Sequence, residues 1–203
     1  MNDSGDSKAR MPVQLALEHL ARHRSDKDIV VTNQSSARLW PRLSQHPLDF
    51  NYNPSNMGGA IPLALGLALS QPGRNVTVLS GDGSLLMNLG CLVTVVSSGA
   101  TNLSILLLDN GMYEVTGGQR TPATDSPADF AALARAAGLR SVQSFLELAD
   151  WQHRSAGFFE APGPRFGWLV VGPTPRQVFD DTQPPIAERT GQFRSALRQS
   201  SWG

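Results

Sequence analysis

Apolar residues along the chain fall into short runs at positions 29–32, 76–79, 103–108 and 168–171, each bounded by Gly, Asp, Asn or Pro. Such runs are the pattern of buried strands. The stretches between them have helical length. Positions 11–23 predict a first helix, and positions 58–70, rich in Leu and Ala, predict another that Pro72-Gly73 stops. Positions 84–98 carry Leu85, Leu86, Leu89, Leu92, Val93 and Val96 around most of a helical circumference, which predicts one long, largely buried helix. Positions 33–44 read as a strand-end loop passing into a helix with Trp40 and Leu43 inward. A capped helix is predicted over 126–137, ended by Gly138, then a short strand near 141–143 and a helix over 145–155. Pro162-Gly163-Pro164 reads as a surface turn, and Pro184-Pro185 leads into a C-terminal helix over 189–197. Helices alternating with short strands predict an α/β fold, a doubly wound, mostly parallel sheet with helices on both faces. In that fold the site lies at the carboxyl ends of the strands. Residues 1–10 are polar and predict a flexible terminus, leaving 11–203 as a single domain without internal repeat or long linker.

Composition narrows the function classes. The 203 residues carry 17 basic and 17 acidic side chains and no net charge, so nothing points to nucleic acid or an acidic membrane surface. No apolar run reaches membrane-spanning length, and the N-terminus is unlike a signal peptide. Cys91 is the only cysteine and lies in an apolar stretch, the pattern of a buried structural thiol in a cytoplasmic protein.

Chemistry concentrates at two strand ends. Gly81-Asp82-Gly83-Ser84 closes the second apolar run, and Asp109-Asn110-Gly111 closes the third. A strand-helix-strand unit of this length makes a parallel pair with both strand ends on one sheet edge. The oxygens of Asp82 and Asn110 thereby meet beside a helix N-terminus, where a divalent cation and a phosphate could be held together. Each triplet alone would be an ordinary tight turn; the pairing and the separation carry the signal.

The stretch from Gly81-Asp82-Gly83-Ser84 to Asp109-Asn110 resembles the signature of the thiamine-diphosphate-dependent decarboxylase and carboligase superfamily, in its diphosphate-binding domain. That signature closes on Asn-Asn, and here Asp109 stands in place of the first. The resemblance implies that Asp82 and Asn110 coordinate Mg²⁺ through side-chain oxygens and Met112 through its carbonyl, with diphosphate oxygens and a water completing the octahedron. It implies cofactor contacts from Gly81, from the amides of Gly83 and Ser84, and from Tyr113 beside Met112. Upstream, Met57 in Ser55-Asn56-Met57-Gly58-Gly59 occupies the position of the apolar wedge that bends the cofactor, and the Ser55 carbonyl would accept from its 4′-amino group. The continuation Val115-Thr116-Gly117-Gly118-Gln119, like Leu85-Leu86-Met87-Asn88-Leu89-Gly90, is similar to the sulfopyruvate and phosphonopyruvate decarboxylases. Val115 and Thr116 would line part of the pocket for a small 2-oxo acid substrate with a second anionic group.

The family needs a glutamate that activates the pyrimidine, carried by a separate pyrimidine-binding domain. The glutamates here, Glu18, Glu114, Glu147, Glu160 and Glu188, lack that context, and 203 residues leave no room for a second α/β domain. The chain therefore resembles the beta subunits of two-chain decarboxylases, active as a heteromer with a pyrimidine-binding subunit or through self-association. A carboligase of the same superfamily, a non-catalytic cofactor-binding or regulatory subunit, and a nucleotide-binding doubly wound protein are the other readings. Asn33, Gln34, Ser35 and Ser36 stand open between a role near the diphosphate and helix capping. Among the scattered histidines only His46 has a route to the site, against a surface role.

Overall fold

The computed structural model describes residues 10–175 and 183–199. The order is α1 (Val13–His23), β1 (Ile29–Asn33), α2 (Gln34–Leu39) with a 3-10 turn at Trp40–Arg42, β2 (Asp49–Tyr52), α3 (Ala60–Ser70) and β3 (Val76–Gly81). Then follow α4 (Asp82–Leu86), α5 (Cys91–Ser97), β4 (Leu103–Asp109), a small antiparallel pair β5 (Met112–Tyr113) and β6 (Gln119–Arg120), and α6 (Phe130–Ala136). The chain continues with β7 (Ser141–Phe145), α7 (Leu148–Glu160), β8 (Arg165–Val170) and α8 (Ile186–Gln199).

Six strands form one all-parallel sheet in the order β2-β1-β3-β4-β8-β7. Side chains alternate between its faces because the strand period is two. Ile105 and Leu107 of β4 enter the core under α3, α5 and α6. Leu106 and Leu108 enter the other, with Trp40, Trp151 and Phe158. The chain runs outward from β1 to β2 and then returns to place β3 on the other side of β1. The gap above β1 and β3 is thus a topological switch point, where doubly wound folds bind their ligands.

Several predicted boundaries change. The stretch 84–98 is two short helices rather than one, because Asn88 turns out of helical register. Its side-chain amide donates to the Gly58 carbonyl at 3.0 Å, and a turn through Gly90 follows. Val93 on this stretch, expected to be buried, is more than half exposed, as is Met87. The helix predicted from Ser126 starts at Phe130 and is capped by Asp129, whose carboxylate accepts from Ala132 N at 2.9 Å. The helix predicted over 145–155 is displaced to Leu148–Glu160 because Phe145 completes β7. Strand β2 and the β5–β6 hairpin were not predicted; β2 has four residues and each hairpin strand two, too short for a clear strand pattern. Arg10, counted with the flexible terminus, is anchored: its guanidinium donates to the Asp109 carbonyl at 2.8 Å. The rest of that predicted terminus, 1–9, lies outside the described residues, as do 176–182 and 200–203 of the predicted domain.

Candidate functional site

The cleft at the switch point is lined mainly from three strand ends and one loop, with Val13 and Leu17 of α1 and Val171, Gly172 and Thr174 after β8 completing it. Asn33 to Ser36 come from β1 and the start of α2, Gly81 to Ser84 from β3 and α4, and Asn110 and Met112 to Val115 from the segment after β4; Met57 closes one side. Ser55 and Thr116 do not line it. Thr116 is exposed at the hairpin tip, its hydroxyl 3.3 Å from the Tyr113 carbonyl as donor.

Asp82 is 1% exposed, and its two oxygens differ. Oδ2 accepts from the Thr121 hydroxyl at 2.8 Å, whereas Oδ1 is buried with no hydrogen-bond partner. Burial pushes the carboxyl up to about 6, and the Asp109 charge adds to the rise, while the Thr121 hydroxyl and, after it, the backbone N–H groups of Gly83 and Asp82 oppose it. An ionised carboxylate oxygen buried without a donor is costly unless a cation or a proton meets it.

Asn110 holds its amide in a fixed sense. Oδ1 accepts from Met112 N at 3.0 Å, a turn that brings the Met112 segment back over the strand end, and Nδ2 donates to Glu114 Oε2 at 3.3 Å. Asp109 points elsewhere: Oδ1 accepts from Gly111 N at 3.1 Å and Oδ2 from the Trp168 indole at 2.9 Å. Among the described residues no three His, Cys, Asp or Glu side chains cluster as a metal site. The candidate donor set is the Asp82 carboxylate, the Asn110 amide and the Met112 carbonyl. Mg²⁺ accepts so sparse a set when a phosphate ligand supplies further oxygens.

The wedge loop is tied to the same centre. Ser84 Oγ accepts from Gly58 N at 2.9 Å and from Asn33 Nδ2 at 3.2 Å, joining the Met57 loop, α4 and the end of β1. Gly58 has φ +80°, and a Cβ there would lie 2.7 Å from Asn88 Cβ, so the loop's approach to the turn after α4 requires glycine. Gly83 is demanded by packing: a Cβ would stand 2.5 Å from two ring carbons of Tyr113. Asn33 stands at the N-cap of α2 in a capping box with Ser36, whose Oγ receives the Asn33 backbone N–H at 3.1 Å, and it also lines the cleft.

Two residues of this site escaped the sequence reading. Thr121 follows the quoted motif by two positions yet reaches back to Asp82, and Glu114 was set aside as a candidate although it lines the cleft. Neither has a local signal, since each acts across a loop. His46 lies away from the cleft, where its ring receives the Leu48 N–H at 3.1 Å beside Arg24 and Asp49. Burial, followed by the Arg24 charge, lowers its pKa. Cys91 is buried and its thiol is pushed up to about 11 by burial, as a structural thiol would be.

The family model described as "Thiamine pyrophosphate enzyme, C-terminal TPP binding domain" matches residues 28–166. A phosphonopyruvate decarboxylase of Streptomyces viridochromogenes is 39% identical over 192 residues, covering 94% of this chain and 47% of its own length. The sulfopyruvate decarboxylase subunit beta of Methanothermobacter thermautotrophicus is 39% identical over 158 residues, covering 78% of this chain and 80% of its own. The chain thus spans about half the length of the phosphonopyruvate decarboxylase it matches. Benzoylformate decarboxylase of Polynucleobacter necessarius shares the fold, with a TM-score of 0.64 at 19% identity over 86% of this chain and 35% of that one. Gly81-Asp82-Gly83 and Asn110, at the strand ends that line the switch-point cleft, lie within the matched residues, and the chain belongs to the thiamine pyrophosphate enzymes, whose C-terminal TPP-binding domain it carries.

Proposed function

We propose that this chain is the diphosphate-binding part of a thiamine-diphosphate- and Mg²⁺-dependent decarboxylase acting on a 2-oxo acid with a second anionic group, of the sulfopyruvate or phosphonopyruvate type. One observation carries the reading: Asp82 keeps a buried oxygen without a donor in a cleft that Asn110 and Met112 also line. Asp82 Oδ1, Asn110 Oδ1 and the Met112 carbonyl would hold the cation. The amides of Gly83 and Ser84, at the start of α4, would meet the phosphate charge. Gly81 and Tyr113 would flank the diphosphate, Met57 would support the bent cofactor, and the Ser55 carbonyl would receive its amino group. When bound, the cofactor supplies an electron sink that stabilises the carbanion left by loss of carbon dioxide. The residues of this chain anchor, orient and exclude water; Val115 and Thr116 would border the substrate.

The activating glutamate would come from a pyrimidine-binding partner. An uncharged surface beside the wedge supports a covered face: between Asn75 and Leu108 the only charged side chain is Asp82, and Leu69, Met87 and Val93 are more than half exposed. Asn88 joins that surface to the Met57 loop. The relative from Methanothermobacter is named as a subunit beta, in agreement with a two-chain enzyme. No helix among the described residues is long and apolar enough to cross a membrane, and a cytoplasmic location is proposed.

The test is calorimetric titration of thiamine diphosphate with and without Mg²⁺, then assay of sulfopyruvate and phosphonopyruvate after a pyrimidine-domain partner is added. Mg²⁺-dependent binding by the chain alone and turnover only with the partner are expected. Turnover of pyruvate or benzoylformate with neither oxyanion-bearing acid would overturn the substrate class. Turnover by the chain alone at about 1 per second or faster would overturn the need for a partner.

A further inference from the structure

The loop from Gly111 to Thr121 is closed at its base. Thr121 N donates to the Gly111 carbonyl at 3.0 Å, and the Thr124 hydroxyl donates to the same carbonyl at 2.7 Å. From this closed base two side chains reach the two candidate side-chain ligands. Thr121, 1% exposed, donates its hydroxyl to Asp82 Oδ2, which leaves Oδ1 as the oxygen without a donor. Glu114 accepts from Asn110 Nδ2 with one oxygen and from Thr174 N at 2.5 Å with the other. A carboxylate offers only acceptors, so Glu114 compels Asn110 to face it with the NH₂ and to turn Oδ1 away. The third candidate ligand, the Met112 carbonyl, belongs to the same loop, as do Val115 and Thr116.

We propose that Thr121 and Glu114 are positioning residues for a divalent cation, so that one loop both bears a ligand and aims the other two. The inference rests on the metal-site reading above and deepens it. Its physical content is an orientation requirement. Without Thr121 the Asp82 carboxylate loses the donor that holds Oδ2, and without the Glu114 carboxylate only the Met112 N–H keeps the Asn110 amide in its sense. Outer partners of this kind typically change metal affinity about 10- to 100-fold. Because the effects run through one closed loop, cation binding also orders the segment that carries Val115 and Thr116, and substrate contacts there depend on the metal.

The test uses the full chain with thiamine diphosphate and Mn²⁺ as the probe, reading free Mn²⁺ by electron paramagnetic resonance. Thr121→Val keeps the shape and removes the hydroxyl; Thr121→Ser restores it. Glu114→Gln retains size, and Glu114→Asp retains charge while falling short of Asn110. Expected are Mn²⁺ dissociation constants raised about 10- to 100-fold for Thr121→Val, Glu114→Gln and Glu114→Asp, with Thr121→Ser close to the unaltered protein. Amide exchange at residues 112–120 should slow when Mn²⁺ and the cofactor bind, and this protection should fade in the weakened variants. If Thr121→Val and Glu114→Asp lower the melting temperature but bind Mn²⁺ as the unaltered chain does, the contacts are structural and the inference falls. If the unaltered chain itself holds no Mn²⁺ with the cofactor, the underlying metal-site reading falls first and takes the inference with it.

Discussion

Asp82 and Asp109 stand at the carboxyl ends of neighbouring strands, β3 and β4, both buried, and their surroundings are opposite in kind. Asp109 has a donor for each oxygen, Gly111 N and the Trp168 indole, and a guanidinium nearby, with Arg10 Nη1 3.8 Å from Oδ1. Asp82 has one donor from a side chain and one oxygen without any. A buried carboxylate with both oxygens satisfied stabilises the fold around it. One left half-satisfied is a cost that a ligand can relieve. The position where the superfamily signature has Asn and this chain has Asp109 belongs to the first kind, and Asp82 to the second.

The sharpest way to break this contrast is substitution at the two positions. Asp82→Ala should reduce Mg²⁺-dependent retention of thiamine diphosphate by about 100-fold or more, since it removes a proposed first ligand, while the folded state persists. Asn110→Ala should do the same. Calorimetry showing unchanged cofactor affinity in either variant would remove the metal assignment. Asp109→Ala should act in the other sense. It leaves the Gly111 amide and the Trp168 indole without an acceptor, and should cost about 3 kcal/mol in chemical denaturation with a much smaller loss of metal affinity. If it matched Asp82→Ala in metal affinity, the distinction between the two strand ends would fail.

The smallest effect is pH dependence of the metal-free chain. The Asp82 carboxyl is pushed up to about 6 in the folded state, above its value in an unfolded chain. The folded protein therefore binds the proton more tightly. The stabilisation is fully present below about pH 4 and is lost as pH rises through about 6, by at most about 2–3 kcal/mol. Denaturation curves of unaltered protein and Asp82→Asn across pH 4 to 8 would read this as a difference that grows as pH rises through about 6, the lowered pKa values of His19 and His46 contributing equally to both. Saturating Mg²⁺ and cofactor should reverse the trend, because a cation favours the ionised form. Equal pH slopes for the two metal-free proteins would show that the Asp82 carboxyl is not raised in solution.

The sequence was most legible where one residue type answers one local requirement. Apolar runs bounded by Gly and Asp marked β1, β3, β4 and β8 because a strand buried on both faces admits few polar side chains. Gly81-Asp82-Gly83-Ser84 and Asp109-Asn110 stood out because the parallel pairing of β3 with β4 puts both ends on one edge. Reading was poorest at 84–98, where an apolar circumference suggested one buried helix. Asn88 breaks it through a hydrogen bond to Gly58, thirty positions away, and no periodicity contains that information. Strand β2 is short, only partly buried and defined by its pairing with β1, so its residues look like a loop until the neighbour is present.

By itself, then, the sequence determined the parallel strand-helix order, the chemistry at the ends of β3 and β4, and the family resemblance, since all of these are written in residue type and spacing. Tertiary structure alone decided which oxygen of Asp82 is held and which is free, why Asp109 faces Trp168, and that Thr121 and Glu114 attend the two candidate ligands. The physical reason is that hydrogen-bond satisfaction belongs to pairs. Whether a carboxylate is structural or available depends on donors 39 residues away for Asp82 and 59 for Asp109, which only the folded chain brings within 3 Å.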